Sequence, residues 1–282
     1  MLMVCHHLSR QIPEDISFAE SRIRAETVAA EDVLHDLGAL SMISSDSQAM
    51  GRIAEVVART WRTASKMRKF TGPFTSLGDT ELKDNARVKR YISKYTINPA
   101  ITHGISHAVG DISVGKMADL VGWKFGRFGS SGGPEWVVKG GVIVWAQMGD
   151  ANASVPGVEP CWGRAMWGAV PGFSVGGRES IRGKDGVGGG IDLRGHHSAF
   201  FVSRASLSPS NSSVSPFESY NLSKPGIPVH SCRKLRKGDM KWNAKLPKVE
   251  VDPESYEVKA DGERCEVEPA EEVCLGKEYN LF

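Results

Sequence analysis

Apolar positions recur every three to four residues in several stretches of the first hundred. Ile53, Val56, Val57, Trp61, Ala64 and Met67 trace one face of a long amphipathic helix, which Gly72-Pro73 ends. Before it, Pro13-Glu14-Asp15 starts a helix whose buried face includes Ile16, Ala19 and Ile23. A second helix, near residues 28–36, has Thr27 as its cap and Gly38 as its stop. Leu40, Met42 and Ile43 read as a short strand closed by the turn Ser44-Ser45-Asp46-Ser47, so Asp46 falls where a strand gives way to a helix. Residues 72–85 are rich in Gly, Pro, Thr and Asp and read as an exposed loop. A short helix over 86–95 presents Val88, Tyr91, Ile92 and Tyr95, and Asn98-Pro99 is a cap and first-turn pair for the next.

After Gly110 the period changes. Asp111-Ile112-Ser113-Val114 leads to a turn at Gly115-Lys116, and Leu120-Val121 enters a strand. Val137-Val138 and Val142-Ile143-Val144-Trp145 flank Gly140-Gly141, which predicts a hairpin. Between Gly172 and Gly195 nine of 24 positions are Gly, and the next twenty are rich in Ser as far as Ser215-Pro216. Chain entropy opposes order in such a stretch, and little apolar area offsets it. The last fifty residues open on the basic cluster Arg233, Lys234, Arg236 and Lys237 and then alternate over Val249–Tyr256, as strands and turns do.

With 282 residues, the chain is long enough for one large domain or two modest ones with a real core. A formal net charge of +2 suggests neither a nucleic-acid nor a membrane partner, and no apolar run approaches the roughly 18 residues of a membrane span. The start lacks the pattern of a secretory leader. Five scattered cysteines (Cys5, Cys161, Cys232, Cys265 and Cys274) with no C-x-x-C argue against a disulfide framework and fit a reducing cytosol. Without a secretory route, the N-x-Ser triplets at Asn152, Asn211 and Asn221 read as chance.

The candidate chemistry gathers in the first fifty residues. Asp46 has two readings: a helix cap, or a carboxylate on the rim where (β/α) folds collect catalytic and metal-binding side chains. His6, beside Cys5 and His7, reads on its own as a surface or packing histidine. Cys5 next to two imidazoles also fits a nucleophile, because a neighbouring imidazolium lowers a thiol pKa. His103 and His107 stand four apart, a spacing that suits two metal ligands on one helix face. No H-E-x-x-H pattern accompanies them, so they read as structural. His196-His197 lies in the Gly/Ser-rich stretch and reads as solvated.

Several runs carry a resemblance: Met3-Val4-Cys5-His6-His7-Leu8, Asp15-Ile16-Ser17-Phe18-Ala19, Ala29–Gly38, Ser44-Ser45-Asp46-Ser47-Gln48-Ala49-Met50-Gly51-Arg52, Arg87–Ile92, Tyr95–Ala100, Val114–Val121 and Trp145–Ser154. In this order they resemble the C-terminal part of the catalytic subunit of urease, a nickel-dependent amidohydrolase, over residues 1–170 and more weakly from 232 to the end. Asp239-Met240-Lys241-Trp242 and Lys259-Ala260-Asp261-Gly262 hint at the eukaryotic single-chain form.

The resemblance implies an α/β fold, the C-terminal fragment of a (β/α)8 TIM-like barrel with part of its small β-sandwich. The divisions are 1–109 (last barrel strands and helices with an active-site flap), 110–171 (β-sandwich), 172–231 (divergent or disordered insertion) and 232–282 (C-terminal strands and turns). Gly122 departs from the family's bulky residue and is expected to weaken its strand slightly. By resemblance His6 is the proton donor on a mobile flap, Cys5 its neighbour there, and Arg22 orients the substrate carbonyl. Asp46 ligates one of two nickel ions, the Ala49 carbonyl accepts from a urea nitrogen, and Met50 lines the pocket.

The resemblance further implies urea as substrate, the rest of the urease chain or its subunits as partners, trimeric assembly and a cytoplasmic location. The family's metal centre also takes a His-x-His, a carbamylated lysine and two further histidines from earlier strands, and no His-x-His occurs in this sequence. One carboxylate cannot replace a full ligand set. The expectation is therefore an inactive chain in isolation; the alternatives are a non-catalytic structural or interaction fragment and a different metal-dependent amidohydrolase.

Overall fold

The computed structural model describes residues 8–45, 53–123, 134–147, 158–160, 198–209, 214–222 and 224–272. The chain divides into two compact units: residues 1–98 with 129–131 and 236–282, and residues 99–128 with 132–235.

In the first unit, helix α1 spans Pro13–Arg22, α2 Ala25–Leu37, α3 Ile53–Thr71 and α4 Asn85–Ser93. Pro13 opens α1, as the missing N–H of proline allows. Its expected buried stripe does not form: Ile16 and Ile23 are 40% and 41% exposed. Only Ala19 on that stripe is half-buried, because the described residues lay no apolar surface against this face. Helix α2 starts earlier than the apolar period suggests, with Arg24 as N-cap. The Thr27 hydroxyl donates back to the Arg24 carbonyl at 3.1 Å and so caps nothing. Gly38 does end the helix, at φ 78°; a Cβ there would stand 3.0 Å from the Trp242 carbonyl oxygen, so both conformation and space call for glycine. Helix α3 buries Trp61, Ala64 and Met67 as its stripe predicts.

The loop over 72–85 is exposed at most of its positions, as its composition suggests, but two of its carboxylates turn inward. A turn of 3-10 helix occupies Thr75–Leu77, and Asp79 and Asp84 are buried. The Asp79 carboxylate accepts from the backbone N–H groups of Ala86 (2.8 Å) and Arg87 (3.0 Å), satisfying the orphan donors at the start of α4. Strands β7 (Val249–Val251), β8 (Val258–Ala260) and β9 (Glu263–Arg264) form an antiparallel meander. Its Val258, Ala260 and Cys265 close an apolar cluster with Ala30, Val33, Leu34 and Leu37 of α2.

In the second unit, a four-stranded antiparallel sheet runs β1 (Leu120–Gly122), β2 (Trp136–Lys139), β3 (Val142–Gln147) and β4 (Val158–Pro160). The predicted hairpin is β2–β3, turning through Gly140 and Gly141 at φ 58° and 85°. Ile112 and Val114 pair with no strand and are exposed. Gly122 pairs directly with Trp136, and a Cβ on it would stand 2.0 Å from the indole. The expectation that glycine weakens this strand is corrected: the indole occupies the space that a side chain would fill. Strands β5 (Phe200–Val202) and β6 (Gly226–Pro228) pair in parallel, and two short helices, α6 (Arg204–Leu207) and α7 (Pro216–Ser219), lie between them in sequence. Helix α5, Ile97–Thr102, spans the boundary between the units. Among the described residues the strands close no barrel.

Candidate functional site

Cys5, His6, Asp46, Ala49 and Met50 lie outside the described residues, as do His7 and His196-His197. Arg22 is the last residue of α1. What the structure does define is the frame through which the chain reaches position 46. Helix α2 stops at Gly38, residues 39–45 run without regular structure, and α3 begins at Ile53. The predicted strand at Leu40–Ile43 thus joins no sheet.

Its polar groups are met in another way. The Lys94 ammonium donates to the Leu40 carbonyl, and Lys237 donates to the Ala39 carbonyl and the Ser41 hydroxyl. Asn98 donates to the Ser41 carbonyl at 3.0 Å, and the Ile43 N–H donates to the Lys94 carbonyl at 3.0 Å. Asn98 therefore sits inside α5 as a bridge and is not the N-cap that Asn98-Pro99 suggests.

Two of the side-chain donors, Lys94 and Asn98, come from the inner face of α4 and its continuation, and the third, Lys237, comes from a 3-10 turn at Lys237–Asp239. Asp84, Arg87, Tyr91, Lys94 and Asn98 are all fully buried, and their spacing of three, four, three and four is that of one helix face. Arg87 grips Asp36 with both arms of its fork, Nε to Oδ1 at 3.1 Å and Nη2 to Oδ2 at 2.9 Å. Tyr91 donates to the same carboxylate at 3.0 Å, and Thr71 at 3.1 Å. The third arm of Arg87 reaches the Gly72 carbonyl at 2.8 Å, and its guanidinium stacks 3.9 Å over the Phe74 ring. Burial first, and then the charge of Asp36, pushes the Tyr91 hydroxyl well above the ordinary tyrosine range. It stays a neutral donor.

Among the described residues Lys94 has no carboxylate partner. Its ammonium meets the Leu40 carbonyl and Asn243 Oδ1 at 2.6 Å, so amide dipoles stand in for a counter-ion. Burial, then the charges of Arg90 and Lys237, brings its pKa down to about 7. It is closed to solvent, which suits a hydrogen-bond donor to the chain and rules out attack on a substrate. Close by in α2, His35 is held at about 3, by burial and then by the Lys94 charge; its Nδ1 has no hydrogen-bond partner among the described residues.

Sequence reasoning missed the buried roles of Arg87, Lys94, Asn98 and Asn243, since charged and amide side chains are ordinarily read as solvated. A signal was present: three of them repeat at helical spacing with Tyr91. The two histidines four apart separate: His107 stacks on His230, ring centroids 4.0 Å apart, and His103 is exposed. Among the described residues, no three His, Cys, Asp or Glu side chains are grouped to hold a metal ion. No helix among them is long and apolar enough to cross a membrane.

The sequence model of the Amidohydrolase family matches residues 1–144, about half of the 282-residue chain. That stretch contains Cys5, His6, Arg22, Asp46, Ala49 and Met50, together with helices α1 to α5.

Proposed function

The chain belongs to the amidohydrolase family, a family of hydrolases of TIM-barrel-like α/β fold, and on that premise we propose that it carries the C-terminal part of a urease-type site, acting on the C–N bonds of urea. The observation that supports this reading is one of order. Cys5-His6-His7-Leu8, Arg22 and Ser44-Ser45-Asp46-Ser47-Gln48-Ala49-Met50 follow one another within the matched stretch, and the last run lies in sequence between α2 and α3.

Urea is resonance-stabilised, so its hydrolysis needs an activated water, a polarised carbonyl and a proton for the leaving ammonia. Divalent metal ions, nickel in this reading, supply Lewis acidity and an acidified water. The described residues offer no donor set for such ions, and Asp46 is the one ligand this sequence contributes. The remaining roles belong to side chains of this chain. His6, with a reference pKa of about 6.5, gives the proton to the departing nitrogen. Arg22 orients the carbonyl, the Ala49 carbonyl accepts from a urea N–H, and Met50 bounds the pocket. Cys5 stands beside the proton donor and forms no covalent intermediate.

In this reading the remaining ligands come from the rest of the urease chain or its subunits, within a trimeric cytoplasmic assembly. The purified chain is expected to release no ammonia from urea and to hold less than one nickel per chain. Supplying the earlier strands as a second polypeptide is expected to restore both, and His6→Ala or Asp46→Asn to abolish the activity. Stoichiometric two-metal binding and full activity in the isolated chain, or complementation indifferent to Asp46, refutes the reading.

A further inference from the structure

Three successive backbone carbonyls, those of Ala39, Leu40 and Ser41, are taken by side chains: Lys237, Lys94 and Asn98. These donors are themselves tied to one segment distant in sequence. Asn98 Oδ1 accepts from the Lys241 N–H at 2.8 Å, while its Nδ2 also reaches the Lys241 carbonyl at 3.1 Å. Asn243 accepts from Lys94 and donates to the Arg90 carbonyl (3.0 Å) and the Ser93 hydroxyl (2.9 Å). The Ser41 hydroxyl in turn donates to the Asn243 carbonyl at 3.1 Å, across 202 residues of sequence.

We propose that residues 236–243 form a clasp that, acting with Lys94 and Asn98, fixes the conformation of residues 39–43, the segment that precedes Asp46 in sequence. Lys94, Asn98, Lys237 and Asn243 are thus positioning residues for the candidate site; their catalytic meaning, though not the clasp itself, rests on the urease-type reading of Asp46.

The argument is one of register. An apolar contact holds a segment against a helix and lets it slide, because one methyl replaces another at little cost. Here each carbonyl has its own donor, two of them ammonium groups, and Lys94, Asn98 and Asn243 are fully buried. A shift by one residue turns the carbonyls away and leaves buried donors unmet, which is the expensive outcome. The clasp does for this segment what a neighbouring strand does in a sheet, with one difference. The donors are side chains, so the register of 39–43 depends on residues two hundred positions later.

Backbone hydrogen exchange on the full chain tests this. Lys237 is half-buried and its replacement leaves the helices' apolar contacts in place, so Lys237→Met should fold. Exchange of the amides of Leu40 to Ser45 is expected to rise roughly three- to tenfold in Lys237→Met and Asn98→Asp, while α3 and the β7–β8 hairpin keep their protection. Lys237→Arg, which restores two donors, is expected to bring the rate back. A purely global contribution raises exchange throughout the first unit by one factor and is not rescued locally. That result, or unchanged exchange at Leu40–Ser45, overturns the clasp. The experiment needs no metal or urea, so it decides the clasp independently of the complementation assay, which decides the role of Asp46.

Discussion

His35 offers the sharpest quantitative test of the buried polar frame. It is 5% exposed, its Nδ1 has no hydrogen-bond partner among the described residues, and the charges acting on it include Lys94, which opposes protonation, and Asp32, which favours it. The balance holds the imidazole at about 3 against 6.5 for the free side chain. Below pH 6.5 the unfolded chain binds a proton that the folded chain refuses, so stability falls with acid. The loss is about 2 kcal/mol by pH 5 and about 4 to 5 kcal/mol by pH 3, at roughly 1.4 kcal/mol per pH unit. His35→Leu removes the titration and keeps a side chain of similar bulk. At pH 8 the variant should match or exceed the parent, since an orphaned buried nitrogen costs about 1–3 kcal/mol. Guanidinium unfolding at pH 8, 6.5 and 5 should show the parent weakening by about 2 kcal/mol more than the variant over that range. Parallel pH profiles, or a His35 ring resonance titrating near 6.5, refute the reasoning.

Other expectations follow from the same contacts. Arg87→Ala leaves Asp36 buried without its fork and should cost about 3–5 kcal/mol, read by chemical unfolding, whereas the double change Arg87→Met with Asp36→Leu should cost much less. Gly122→Val forces a branched side chain into the Trp136 indole and should destabilise the four-stranded sheet by about 1–3 kcal/mol, with altered tryptophan fluorescence. His107 is held below its ordinary value by partial burial, then by His230 and Lys116, so the stack is intact at neutral pH and loosens as pH falls. In His230→Ala the His107 resonance should titrate at higher pH than in the parent, and an unshifted titration counts against the stack.

Elements that rest on local chemistry were legible in the sequence. The stripe Trp61, Ala64 and Met67, the Gly38 stop and the turn through Gly140-Gly141 each follow from a period or a backbone preference that needs no distant partner. What was not legible depends on distant partners. Gly122 looks like a weak strand residue until β2 places Trp136 opposite it. Asp79 and Asp84 look like loop carboxylates until α4 and Arg68 turn to meet them. Ile16 and Ile23 look like a core stripe, yet the described residues give them nothing to pack on. The candidate site was legible only as an ordered set of signature residues, because period and spacing alone leave Asp46 a helix cap and His6 a packing residue.

The inner face of α4 bears on how the protein can change over time. A greasy seam drifts freely, one aliphatic at a time, whereas Lys94 with Asn243 and Arg87 with Asp36 are mutual obligations across long stretches of sequence. Losing one member strands the other, so an intermediate with a single replacement is the least fit of the series. Relatives are therefore expected to keep both members of each pair or to exchange both together, and a lone replacement at 94 or 243 marks a lineage in which this framework has already been abandoned.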